Sequence, residues 1–149
     1  MTVGQKGTAM KRREFKVPGS PEPVSHYTDV VTYGGLAFVS GALAVDTEGN
    51  VVGRGDPAAQ AECVLEHLGR ALKTVGCSPA DVLRVNVYIT NIGDHTLIRA
   101  ARERFFGDAR PASTLVEVGA LVVPDCCVEI DLVAAVPKST SSSEGKGNA

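Results

Sequence analysis

The stretch "RPASTLVEVGALVVPDCCVEIDLVAAV", residues 110–136, holds two apolar runs separated by a turn segment. A hydroxyl sits near the start of the first run, at Ser113. A carboxylate sits inside the second, at Glu129, between Val128 and Ile130. Side chains alternate across a strand, so Cys127, Glu129, Asp131 and Val133 share one face, while Val128, Ile130 and Leu132 share the other. The second set is the candidate core. By the same rule Ser113, Leu115 and Glu117 share a face. The polar members either pair across strands on a wet sheet face or line a cleft, and periodicity alone leaves both open.

Working outward, "VLRVNVYIT" (82–90) alternates in the same way and predicts a strand with one buried face. Before it, "GDPAAQAECVLEHLGRALKTVG" predicts a helix. Asp56 is a suitable N-cap, Pro57 fits the first helical position, and Gly76 is a natural stop. Ala61, Val64, Leu65, Leu68, Leu72 and Val75 recur on one helical face. His67 falls off that stripe, beside Cys63 and Arg70, and reads as a solvated surface group. A second helix is expected over 94–106, with Leu97, Ile98, Ala101 and Phe105 as its apolar stripe and Gly107 as its end. "LAFVSGALAV" (36–45), "DTEGN" and "VV" read as a hairpin. The interior Gly41 suggests a bulge or a close backbone approach.

The order hairpin, helix, strand, helix, strand, strand predicts an α+β domain, with two helices packed on one face of a mixed sheet. That layering leaves the other sheet face uncovered. The strands of 110–136 read as apolar on both faces, so other copies of the chain are expected to cover it.

The 149 residues suffice for one domain. Hydrophobic residues make up 44% and charged residues 21%, the balance of a soluble globular chain. No apolar run approaches the roughly 20 residues of a membrane span, and no signal-peptide pattern opens the sequence, so a cytoplasmic location is expected. The folded part is expected over 15–137. Residues 1–14 read as a flexible basic arm that includes part of "KRREFK" (11–16), and 138–149 as a disordered Ser/Gly tail. The net charge of −2 does not suggest a nucleic-acid partner. Cys63, Cys77, Cys126 and Cys127 show no metal-ligand spacing and read as free thiols, so no metal site is expected.

Other chemistries find little support. "GRGDPA" (53–58) has two glycines before a helix start, but Asp56 would repel an anion and no Lys-Ser/Thr follows. No G-x-S-x-G elbow is present. His26, His67 and His95 lie in unrelated contexts.

Three segments together resemble the Rid/YjgF family of reactive intermediate deaminases. They are "SHYTDVV…FVSGALAVD", "GDPAAQAECVLEHLGRALKTVGCSPADVLRVNVYITNI" and the opening stretch, with its P-A-x-[S/T]-x-V-E-V followed by V-E-I. The resemblance spans about 22–136. It implies a chorismate-mutase-like fold and a homotrimer with a cleft between each pair of neighbouring subunits. It further implies hydrolysis of enamines and imines to keto acid and ammonia, without metal or organic cofactor. In the family an arginine grips the substrate carboxylate, a glutamate orients water, and a tyrosine and the S-G backbone line the cleft.

On this resemblance Glu129 falls on the catalytic glutamate, Tyr27 on the tyrosine and Gly41 on the glycine. Ser113 falls where the carboxylate-binding arginine is usual, Ala42 where a glutamine is usual, and Arg99 where an asparagine is common. A serine offers one donor and no charge, so deamination of 2-iminopropanoate is expected to be poor. Arg110 and Arg99 are candidate substitutes, and Ser113, Leu115 and Cys127 would line a more neutral pocket. The implied function is an enzyme acting on an imine, enamine or related small-molecule intermediate by hydrolysis, tautomerisation or cyclisation. The alternatives are a non-catalytic metabolite-binding paralogue and an endoribonuclease, as reported for some relatives.

Overall fold

The structure, a computed structural model, describes residues 10–138. The mobility expected of the arm and the tail concerns stretches lying mostly outside that range. In chain order the elements are β1 (Arg13–Phe15), β2 (Val30–Tyr33), β3 (Leu36–Leu43), α1 (Pro57–Thr74), β4 (Val82–Ile89), α2 (His95–Phe106), β5 (Ala112–Glu117) and β6 (Val128–Ala135). Single 3-10 turns at Pro79–Asp81 and Ile92–Asp94 precede β4 and α2.

The six strands form one mixed sheet in the order β1-β2-β3-β6-β4-β5. All neighbours are antiparallel except β4 and β5. Parallel neighbours need a crossover, and α2 supplies it. The last strand, β6, fills the gap between β3 and β4. Paired on both edges, it is buried along its helix-facing side: Val128, Ile130, Leu132 and Ala134 are at most 1% exposed.

Helix α1 lays Ala61, Val64, Leu65, Leu68 and Leu72 on this layer, as its periodicity predicts, with Val75 only partly buried. Each fully buried Leu or Val is worth about 1.5–3 kcal/mol. Asp56 caps the helix by accepting from the Ala59 amide at 3.0 Å, and Pro57 opens it. In α2 the buried set is Ile98, Ala101 and Phe106, while Leu97 stays 47% exposed. The stripe is therefore turned toward Phe106, whose ring meets Phe105 edge-on at 4.9 Å. No helix among the described residues is long and apolar enough to cross a membrane.

Three further features differ from the sequence expectation. The partner of β3 in a hairpin is the preceding β2, joined through Gly34 and Gly35; the downstream arm is reduced to one bridge, Val45 to Val51. Strand β1 begins at Arg13, inside the basic stretch, and pairs with β2. The open face of the sheet is also more mixed than the apolar runs suggest. Glu129 and Asp131 lie on it beside Tyr88 and Asn86, and Asn86 donates to Asp131 at 2.8 Å. Phe38 adds an apolar group there that is 45% exposed.

Candidate functional site

The ladder between β3 and β6 slips between Val39 and Ala42, and Gly41 lies in the slip. Ser40 fixes the approach: its amide donates to Asp29 O at 2.9 Å and its hydroxyl to Thr28 O at 2.6 Å. A Cβ on Gly41 would stand 2.1 Å from Glu129 Oε1 and 3.0 Å from its Cδ. The glycine is required by the neighbouring carboxylate, since its backbone is not among the left-handed positions. Both features expected of Gly41, a bulge and a close approach, are present together.

Glu129 opens into a cavity of about 610 Å3 that also takes in Tyr27, Ser40, Gly41, His67 and Val122. The carboxylate is half-buried and has no hydrogen-bond or ion-pair partner among the described residues. Burial first, and then the charge of Asp131, raise its pKa above the ordinary glutamate value. His67, expected in solvent, instead borders this cavity and is half-buried. Arg70 Nη2 donates to its Nδ1 at 2.7 Å, which places the ring proton on Nε2, 3.4 Å from Cys63 Sγ. Burial, then Arg70, lower its pKa, so the ring is neutral near pH 7.

The other candidate residues lie elsewhere on the chain. Ser113 is the register partner of Val85, which is fully buried on the helix side, so Ser113 faces the helices while Glu129 faces away from them. With β4 between them, strands β5 and β6 run about 10 Å apart, and Ser113 is level with Leu132, three residues along from Glu129. Leu115 packs partly buried against the core. Cys127 is also half-buried against the core, just before β6, and is not part of the Glu129 cavity. Arg99 and Arg110 border a second, open cavity of about 550 Å3 at the α2–β5 edge. Arg99 is exposed and paired with Glu103 at 2.8 Å.

Two residues escape sequence reasoning. Arg102, four positions after the buried Ile98, borders the second cavity and donates from Nη2 to Ser113 Oγ at 2.8 Å. Gln60, one turn before Val64, is fully buried. Its Nε2 donates to Asp125 O at 2.9 Å and its Oε1 accepts from the Cys127 amide at 2.8 Å. In both cases the available signal is a polar residue at an apolar helical spacing.

The family described as Endoribonuclease L-PSP matches residues 18–136. The 3-aminoacrylate deaminase RutC of Acinetobacter baylyi is 36% identical over 125 residues, covering 83% of this chain and 98% of that protein. Among solved structures, a member of the YjgF/YER057c/UK114 family from Mycobacterium tuberculosis superposes with a TM-score of 0.72 at 30% identity, covering 85% of this chain and 100% of that one. RidA from an Antarctic Psychrobacter superposes with a TM-score of 0.73 at 28% identity, covering 79% and 94%.

Proposed function

The chain belongs to the Rid/YjgF/L-PSP family, and from that premise we propose that it is an acid/base hydrolase of imine or enamine intermediates. Its cleft lies between neighbouring copies of a trimer. The observation that carries this reading is the half-buried, unpartnered carboxyl of Glu129, lodged against Gly41 in a cavity large enough for a small metabolite.

Hydrolysis of an imine needs a water to add at carbon while nitrogen gains a proton. A second proton transfer then lets ammonia leave and the carbonyl form. A single carboxyl with a raised pKa can give the proton in one step and take it in the next. Gly41 leaves room for that carboxyl to turn toward the cavity, and Tyr27, which lines the same cavity, brings a hydroxyl for a polar substituent. The similarity to a 3-aminoacrylate deaminase supports the reaction class.

A two-subunit cleft is supported by the separation of the candidate residues. Glu129, Gly41 and Tyr27 share one cavity, whereas Ser113, Arg99 and Arg110 gather at the far edge of the sheet, beside the outer edge of β5. A site using both groups draws them from two copies.

The test is a screen of imines generated in situ, following ammonia and carbonyl release. Turnover by the native chain that is lost in Glu129→Gln supports the reading. Tight binding without turnover would favour a metabolite-binding role, which the serine at Ser113 also fits. RNA cleavage that persists in Glu129→Ala after repurification would point to a contaminant.

A further inference from the structure

Arg102 is the one described residue with a buried side-chain nitrogen or oxygen that lacks a partner: its Nε is shielded from water and bonds to nothing. The guanidinium is half-buried, and no carboxylate among the described residues pairs with it. Its single polar contact among the described residues is Nη2 to Ser113 Oγ, at 2.8 Å. A desolvated cation without a counter-ion is costly to hold. The groups around it deepen the imbalance: Arg99 and Arg110 border the same cavity, and its one acid, Glu103, is already taken by Arg99. A hollow lined by three arginines and one acid carries net positive charge and suits an anion.

We propose that Arg102, held in place by Ser113, is the specificity-determining cation of this chain and grips a carboxylate on the small-molecule ligand. Ser113 accepts from one terminal nitrogen of the planar fork, and the Arg102 side chain lines the cavity. A fork of this kind matches a carboxylate through two parallel hydrogen bonds. The arrangement supplies from a helix the charge that Ser113 itself cannot offer from β5. Burial lowers the pKa of Arg102, but a guanidinium stays charged in proteins at neutral pH. The inference rests on the proposed two-copy cleft only in assigning this carboxylate to the substrate; the anion site itself needs one chain.

The experiment is calorimetric titration of the intact protein with pyruvate and with its neutral methyl ester. The native chain should bind pyruvate and discriminate against the ester. Arg102→Gln should weaken pyruvate by roughly thirtyfold or more, while Lys73→Gln, which removes one positive charge from an exposed position on α1, should leave it unchanged. Arg102→Lys keeps the charge and the packing of the stem but loses the fork, and should fall between the two; it serves if Arg102→Gln does not fold. Equal binding of pyruvate and ester, or native pyruvate affinity in both Arg102 variants, would overturn the proposal. So would an Arg102→Gln protein whose only defect is weaker assembly, since the guanidinium would then be paired with a neighbouring copy. Glu129→Gln separates the two readings. It should still bind pyruvate through Arg102 if this inference holds, whether or not turnover depends on Glu129.

Discussion

Gly41 and Glu129 occupy space that only one of them can fill: a single methyl on the glycine would overlap the carboxylate oxygen at 2.1 Å. The β3 backbone and the acid are thus fitted to one another across the slipped ladder.

Gly41→Ala is therefore expected to displace the Glu129 side chain rather than to unfold the chain, because the overlap falls on the far end of a flexible group. Turnover should fall by about 10²-fold or more, as for a misplaced general acid, with the melting temperature nearly preserved. A fully active Gly41→Ala protein would remove Glu129 from the reaction.

Glu129→Gln should abolish most turnover, by about 10²–10⁴-fold, and should also change how stability depends on pH. The folded pKa is raised above the ordinary glutamate value near 4.5, so the folded state binds the proton more tightly than the unfolded one. The contribution of Glu129 to stability is then fully present below that ordinary value and is lost as pH rises through the raised folded pKa. The variant should lack this decline. Parallel melting profiles for the two proteins across the acidic range would show that Glu129 is not desolvated.

A trimer is expected in solution, about three times the 15.5 kDa chain. Among the described residues the outer edge of β5 is unpaired, and Phe38 and Val116 are 45% and 40% exposed, which is costly for a lone subunit. Mass photometry at micromolar concentration distinguishes the assembly from a monomer. A stable monomer would rule out a cleft shared between copies.

Gln60→Ala should destabilise the fold by about 3 kcal/mol or more, because it strips partners from the Asp125 carbonyl and the Cys127 amide inside the protein. Urea denaturation measures this. A loss below about 1 kcal/mol would mean that water replaces the amide.

The elements with strong periodicity are legible in the amino-acid sequence. Helix α1, β4 and β6 follow from alternating or helical apolar spacing, and so does the facing of Glu129 away from the core. The hairpin partner of β3 is legible in principle: the two-residue Gly34–Gly35 turn between apolar runs is a stronger hairpin signal than the five residues of "DTEGN". The placement of Ser113 on the sheet face away from Glu129 is not legible. It depends on the parallel register of β4 and β5, which the α2 crossover sets over a distance that no strand pattern records. Arg102 is hidden for a related reason: an arginine on a helix is ordinarily solvent-facing, and only the β5 edge packed beside it turns it inward.

The loop before β6 is moored twice, and the two moorings respond to different conditions. On the outside Arg54 pairs with Asp125 in water, a latch that added salt loosens. On the inside the uncharged amide of Gln60 holds the same residue's carbonyl and the next strand's entry. Neither protons nor ions weaken that grip. Ionic strength can therefore loosen the mouth of the cavity, near Val122, while the strand that presents the acid keeps its register.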